Sequence, residues 1–177
     1  SNGFPTTDKA AVFNANYDIA ADAKFCSCVV NSGVTVTVKN EASLELVSNY
    51  SGAGNLVFEN NSSLYQSDDS VKNTGIIQFK RKTTPVRKMD YTYWSSPVAV
   101  QQLKALSPDS PVDNFYSFDS DVNYWHKESP TSKMILGKGY IFQAPKSFSE
   151  NEPAVFEAVF SGIPNNGLVT VPIAKTK

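Results

Sequence analysis

The sequence predicts an all-β protein: a short right-handed β-solenoid with about 20–21 residues per rung, followed by a small antiparallel β region. Gly33, Gly54 and Gly75 are evenly spaced along the chain, and each opens a strand-like run. The apolar runs alternate with polar residues at the period of a strand and show no helical period. One such turn of chain cannot bury its apolar face alone, so successive turns are expected to stack.

The repeat consists of two sets of strand-like runs. The first set is Val34–Val38, Asn55–Glu59 and Ile76–Lys80, and the second, which recurs at nearly the same spacing, is Ala42–Leu46 and Ser62–Gln66. Leu44 and Leu64 occupy matching positions and are expected to stack in the interior. An antiparallel sandwich with evenly spaced hairpins remains the alternative, because short strands at this spacing occur in both folds.

The repeat divides the chain into four parts. They are a polar N-terminal arm (1–10), the solenoid (11–82), a connector (83–89) and a β-rich aromatic domain (90–177). Mixed charge at 79–82 is expected to blunt an open edge of the last rung. In the aromatic domain we expect one short helix at 99–106 and a hairpin around Asp119–Asp121. A second hairpin is expected to pair Val155–Phe160 with Leu168–Ile173 across Asn166-Gly167.

Charge and hydropathy exclude two classes of partner. Sixteen Lys and Arg against seventeen Asp and Glu give a formal charge of -1, which predicts no strong attraction to nucleic acid. The basic cluster at 80–88 is therefore interpreted as a solvated connector. No apolar run approaches the roughly 18 residues that a membrane-spanning helix needs.

Catalytic signatures are missing from the sequence. His126 is the single histidine, and Ser95-Ser96 lacks the glycines of a nucleophile elbow. No glycine-rich phosphate cradle or cofactor motif occurs, so we expect no enzyme, no catalytic residue and no cofactor. Paired carboxylates alone can run a glycosidase, which makes Asp119, Asp121 and Glu128 the residues to examine.

Two short motifs raise the question of metal binding or of a disulfide. Asp119, Asp121 and Asn123 have the spacing of the first calcium-loop ligands, but Tyr124 stands where such a loop needs glycine. We therefore interpret the motif as an acidic turn and keep it as a calcium candidate. Cys26 and Cys28 would face the same side of a strand at the long limit for a disulfide. Two packed thiols and a strained bridge both remain open.

Aromatic residues concentrate in the second half of the chain. The candidate binding residues are Tyr91, Tyr93, Trp94, Tyr124 and Trp125. Aromatic rings in a small β domain serve either as its core or, when coplanar and exposed, as a platform for sugars. We expect the rings of Tyr91, Tyr93 and Trp94 to be buried between the rungs and the later β region, where they would cover the end of the solenoid.

Five segments carry a resemblance to a known group of proteins. They are Val30–Val38, Asn73–Ile77, Asp90–Val98, Gly137–Phe142 and Gly162–Gly167. Together they resemble the large secreted surface proteins of gliding Bacteroidota. The resemblance covers about Ala11 to Ile173, and the string Tyr-Thr-Tyr-Trp-Ser-Ser-Pro at 91–97 is specific.

The resemblance implies a non-catalytic module of a large secreted protein, with a structural or adhesive role at the cell surface and an association with motility. Such proteins use the type IX secretion system through a separate C-terminal sorting domain, so we expect this chain to be a piece of a longer one. The implied location is the outer face of the outer membrane. The implied partners are the secretion machinery, through flanking domains, and surface glycans or other cell-surface proteins. A carbohydrate-binding module that uses exposed aromatics is the alternative.

Overall fold

The structure is a computed structural model that describes residues 5–172. The elements in this range are β1 Ala11–Phe13, β2 Tyr17–Ile19, β3 Ala23–Phe25, β4 Cys28–Val30, β5 Thr35–Val38, β6 Ser43–Leu46, β7 Tyr50–Gly52, β8 Asn55–Phe58, β9 Ser63–Gln66, β10 Ile77–Lys82, β11 Tyr91–Trp94, α1 Leu103–Leu106, β12 Phe115–Asp119, β13 Tyr124–Lys127, β14 Tyr140–Gln143 and β15 Glu157–Gly162. The all-β prediction is confirmed. The described residues divide into two compact units, one comprising residues 5–81 and Val159–Leu168, the other comprising Lys82–Ala158 and residues 169–172.

The first unit is a β-solenoid of three turns, each made of three short strands, followed by the strand β10. Strands β1, β4 and β7 form one sheet, β3, β6 and β9 a second, and β2, β5, β8 and β10 lie in a third. The pairings within this set are parallel. Parallel neighbours one turn apart are the arrangement of a solenoid and exclude the antiparallel sandwich. The sequence pattern revealed two strands per turn, and the structure adds the short strands β1, β4 and β7.

The interior consists of side-chain rows that run from turn to turn. In one row Val38 pairs with Phe58, which pairs with Phe79, and the two phenylalanine rings stack with centroids 4.4 Å apart. All three side chains are buried. Leu44 pairs with Leu64 as expected. Leu44 is fully buried, whereas Leu64 is half-buried because its strand is the last of its sheet.

The three repeat glycines do not occupy equivalent corners. Thr35 pairs with Asn55 and Leu56 pairs with Ile77, so the step between the later pair of strands is longer by one position. Gly54 and Gly75 are therefore equivalent, and Gly33 comes one position earlier in its turn. Gly33 has φ +77° and supplies a left-handed corner, while a Cβ at Gly54 would lie 2.3 Å from the Asn31 carbonyl oxygen. Glycine is thus required at Gly33 by the backbone conformation and at Gly54 by the close packing around it.

A buried amide network closes the last turn of the solenoid. The Asn73 side-chain oxygen accepts hydrogen bonds from the Tyr50 backbone N–H (2.8 Å) and from Gln66 Nε2 (3.0 Å). Its Nδ2 donates to Gln66 Oε1 at 2.7 Å and to the Pro164 carbonyl at 3.2 Å. Asn166 Nδ2 donates to the carbonyls of Asp68 and Val71. Residues 164–166 are thereby held against the loop that follows β9.

The position of β15 and the path of the residues that follow it show that two expectations are wrong. The β10 strand is not an open edge, because β15 lies beside it in the sheet. Residues 168–172 form no strand, so the hairpin across Asn166-Gly167 is wrong, and Ile173 lies outside the described residues. Gly167 has φ +88°, and a Cβ there would lie 2.7 Å from the Asp69 carbonyl oxygen. The dipeptide therefore serves a close approach of two backbone segments within this unit.

The interpretation of the basic run as a solvated connector is wrong for Arg81. Its guanidinium donates to the carbonyls of Glu59 (3.1 Å) and Ser62 (2.6 Å) and lies 4.8 Å from the centre of the Phe79 ring. Burial lowers the pKa of this guanidinium. Arg81 thus ties the last repeat strand to the corner of the preceding turn.

The second unit contains a four-stranded antiparallel sheet in the order β11-β14-β12-β13. The predicted hairpin around Asp119–Asp121 is present as β12 and β13. The helix at 99–106 shrinks to Leu103–Leu106, because Val100 has φ 65°, which a right-handed helix does not allow. Leu103 and Leu106 are buried.

We expect Gly54→Ala to destabilise the chain and Gly139→Ala to leave it unchanged or slightly stabilised. A Cβ at Gly54 meets three atoms within 2.7 Å, two of them backbone oxygens, so the cost should reach the upper end of about 1–3 kcal/mol. A Cβ at Gly139 has no atom within 4 Å and serves as the control. Urea unfolding of both variants measures the difference. Equal unfolding free energies for the two variants would contradict the close packing of the turns.

Candidate binding surface

The alternation of side chains assigns each residue of the antiparallel sheet to one of two faces. Phe115 pairs with Phe142, which pairs with Thr92, so these three share a face. Tyr116 pairs with Ile141, which pairs with Tyr93, on the opposite face. Phe115, Tyr140 and Phe142 are buried, so the first face belongs to the core of this unit.

The opposite face carries five aromatic rings. We name it the aromatic face, and its members are Tyr91, Tyr93, Tyr116, Phe118 and Trp125. Tyr93 is 77% exposed, Phe118 43%, Tyr91 39% and Trp125 36%. Tyr93 and Trp125 lie on the two edge strands of the sheet, yet their ring centroids are 6.3 Å apart. A ring contact therefore joins the two edge strands of the sheet across this face.

The aromatic face carries little free charge. Its charged member at the edge is Lys127, whose Nζ lies 2.7 Å from the Asp113 carboxylate. Ile141, half-buried, lies between the rings on the central strand β14. Burial, together with the neighbouring Tyr116 hydroxyl, raises the pKa of Tyr91, so its hydroxyl is neutral at physiological pH. The surface thus combines apolar ring faces with neutral phenol groups.

The five candidate binding residues from the sequence do not share one face. Tyr91, Tyr93 and Trp125 lie on the aromatic face, whereas Trp94 and Tyr124 lie on the other side of the sheet. Trp94 stacks on Phe142 at 5.9 Å with an interplanar angle of 9°, and its indole N–H donates to Thr92 Oγ1. Tyr124 packs edge-on against His126. Trp94 is therefore part of the core side of the sheet.

The expectation that Tyr91 and Tyr93 are buried is wrong. Both rings are exposed, and they contact Tyr116 and Trp125 within the second unit. Three ring pairs of the face, Tyr91–Tyr116, Tyr93–Trp125 and Phe118–Trp125, are inclined by 54°, 51° and 60°. The face is exposed but not coplanar, so it is not the flat platform considered from the sequence.

A groove of about 810 Å³ in the second unit is lined by Asp119 and Glu128, two of the three carboxylates examined for glycosidase chemistry. Ser117 Oγ donates to Glu128 Oε1 at 2.7 Å, and Lys138 Nζ lies 3.2 Å from the same oxygen. Burial alone would raise the pKa of Glu128, but the hydrogen bonds from Ser117 and Lys138 outweigh it and hold the pKa below its usual value. Glu128 is therefore ionised at neutral pH.

The calcium candidate forms a tight turn in which both carboxylate oxygens of Asp119 have partners. Asp119 Oδ1 accepts from the Asp121 backbone N–H at 2.9 Å, and Asp119 Oδ2 lies 3.4 Å from His126 Nε2. Asn123 adopts a left-handed conformation with φ 52° that closes the loop. Within residues 5–172, no group of three or more His, Cys, Asp or Glu side chains is arranged to hold a metal ion.

The two cysteines are separate thiols in the structure. Cys28 is buried in the solenoid, and burial raises its pKa to about 12. Because only a thiolate is a good nucleophile, Cys28 is inert at neutral pH. The geometry thus realises the packed-thiol alternative.

A family comparison covers the entire chain. The family model described as Domain of unknown function (DUF8693) matches residues 1–177. The chain belongs to this family. No curated protein and no solved structure matches this chain. Among the described residues of this DUF8693 member, no helix is long and apolar enough to cross a membrane.

Sequence reasoning missed Phe118 and did not separate the two faces. In the structure the first and third residues of Phe115–Asp119 are buried and the second and fourth are not, but hydropathy does not indicate this, because the buried Ser117 is polar and the exposed Phe118 is apolar. Which aromatics share a face across several strands depends on pairing register, and register between distant segments is not written in any single run.

We predict a large loss of stability on replacing one of two neighbouring aromatic residues of β11 and a small loss on replacing the other. Trp94→Ala should lower the free energy of unfolding by about 2–4 kcal/mol, because it removes a half-buried ring that stacks on Phe142. Tyr93→Ala should cost less than about 1 kcal/mol, because its ring is exposed on the other face. Chemical denaturation compares the two variants, and a larger loss for Tyr93→Ala would overturn the assignment of faces.

We also predict a pH-dependent effect of Glu128→Gln. The folded-state pKa of Glu128 lies below its usual 4.5, so its ionised form stabilises the fold above that pH. This contribution is lost as pH falls through the lowered folded-state pKa. The variant should therefore be less stable than the parent at pH 7, with the gap narrowing below about pH 4.5. Glu150→Gln, in the exposed pair with Lys88, is the control and should show no such gap. A gap that widens in acid would contradict the assignment.

Proposed function

We propose that this chain is a non-catalytic module of a large secreted cell-surface protein, with a structural and adhesive role, and that the aromatic face is its contact surface. The observation that carries the proposal is the exposure of Tyr93, Phe118 and Trp125 side by side on one sheet face. Contiguous exposed apolar patches of this kind mark interaction sites, whereas isolated exposed residues do not.

The area of the aromatic face fits a weak contact that is repeated by many copies of the chain. A buried aromatic side chain covers about 150–250 Å², so the observed exposures leave roughly 400 Å² of aromatic surface open to solvent. A stable protein–protein interface buries about 800 Å² on each partner. One copy would therefore bind weakly, and many copies displayed on one cell would gain strength through multivalency.

The carboxylates of the groove support a non-catalytic role. A glycosidase needs one carboxylic acid whose pKa is raised, so that it can protonate the leaving oxygen. The pKa of Glu128 is lowered instead, and Asp119 is engaged by the Asp121 N–H and lies beside His126. Asp121 is exposed on the turn. Glu128 therefore lacks the raised pKa that a general acid needs.

Secretion by the type IX system, a place on the outer face of the outer membrane and an association with gliding motility belong to the same proposal. Their support is the resemblance carried by the segment 90–98 and the other matching segments. Export would use flanking domains, and the partners would be surface glycans or other cell-surface proteins.

Adhesion of coated beads tests the proposal. Latex beads carrying the full chain should be retained under flow on at least one surface of a panel that includes polystyrene, collagen and immobilised polysaccharides. The double variant Tyr93→Ser/Trp125→Ser should lose that retention. The matched double variant Tyr65→Ser/Tyr124→Ser removes two exposed rings away from the aromatic face and should keep it. Equal retention of both variants, or none above albumin-coated beads, would overturn the proposal.

A further inference from the structure

We infer that the ligand of the aromatic face is a single, neutral polysaccharide chain whose sugar rings change orientation from one unit to the next. This inference rests on the proposed function, because it names the ligand of the same surface. It commits to one ligand class, and a protein partner or a second copy of the chain becomes an outcome of the test.

The residue types of the face favour sugar over a general apolar partner. Its exposed members are tyrosine, tryptophan and phenylalanine, and the one aliphatic side chain among them, Ile141, is half-buried. The face of an aromatic ring carries negative potential, which attracts the polarised C–H groups on the apolar side of a sugar ring. Three phenol hydroxyls, on Tyr91, Tyr93 and Tyr116, can exchange hydrogen bonds with sugar hydroxyls at the rim.

The charge distribution favours a neutral polymer. An acidic polysaccharide or a nucleic acid would need unpaired cations along the surface. The cation at this face, Lys127, is paired with Asp113 at 2.7 Å, and the pairing raises the pKa of the lysine. A neutral chain leaves this ion pair intact.

The ring geometry specifies the shape of the chain. A crystalline polysaccharide presents one plane, which would match a row of coplanar rings. Here neighbouring rings are inclined by 51–60°. A chain that rotates between sugar units can lay one unit on Tyr93 and another on Trp125 or Phe118, with each unit following the plane of its own ring. The face therefore fits a soluble, twisted chain and not a crystal surface.

The area of the face agrees with a chain ligand. Roughly 400 Å² of open aromatic surface is about half of what one partner of a stable protein dimer contributes. A few sugar units would cover an area of that size, whereas a folded partner would leave about half of its interface without a counterpart.

Affinity electrophoresis of the full chain tests the inference. The gels would contain soluble neutral polysaccharides of several linkages (β-1,3-glucan, mixed-linkage β-glucan, xyloglucan, galactomannan and amylopectin), and the comparison would be sedimentation with microcrystalline cellulose and gels with alginate. We expect retardation by at least one soluble neutral polymer and none by alginate or cellulose. Trp125→Ser and Tyr93→Ser should each weaken binding about tenfold or more, Tyr93→Phe should retain most of it, and Tyr65→Ser should retain all of it.

Each other outcome overturns the inference. Binding to cellulose or alginate alone would contradict the twisted or the neutral ligand, and retardation that survives Trp125→Ser would place the site elsewhere. If no soluble polymer retards the chain while coated beads still adhere to collagen or polystyrene through the aromatic face, the ligand class is wrong and the adhesive role stands. Loss of both results would remove the proposed function as well.

Discussion

The alternation of side chains along a strand is the constraint on which both units depend. In the solenoid every second residue points inward, and parallel pairing places it beside its counterpart one turn away, as in the row Val38, Phe58 and Phe79. Such rows bury apolar surface that no single turn could bury, which makes the turns mutually dependent. In the antiparallel sheet the same alternation sends Phe115 and Phe142 into the core and leaves Tyr93, Phe118 and Trp125 on the other side.

At the last turn of the solenoid the parallel strands end with unpaired backbone groups, and these groups need hydrogen-bond partners. The side-chain amides of Asn73 and Gln66 form two hydrogen bonds with each other. Asn73 also accepts a hydrogen bond from the Tyr50 N–H and donates one to the Pro164 carbonyl. Buried amides that are fully paired stabilise a fold, whereas a lost partner leaves a costly orphan. Together with β15 beside β10, this network prevents an exposed strand edge at that position.

The sequence predicted the features that repeat and missed those that depend on distant pairing. Evenly spaced glycines and the recurring runs around Leu44 and Leu64 were enough to predict stacked parallel turns. The turns differ in length, and the step from β5 to β8 is one residue shorter than the step from β8 to β10, so Gly33 is out of register with Gly54. The place of β15 and the separation of Trp94 from Tyr93 depend on partners far along the chain, and no local pattern encodes those partners.

The two tryptophans offer the most direct test that the aromatic face is the binding surface, because one lies on each face of the same sheet. The chain would be labelled with 5-fluorotryptophan, and its ¹⁹F spectrum recorded during titration with the soluble polysaccharide that retards it most. We expect the resonance of Trp125 to shift while that of Trp94, stacked on Phe142, stays in place. A shift of Trp94 alone, or no shift of Trp125 at saturating polysaccharide, would contradict this expectation.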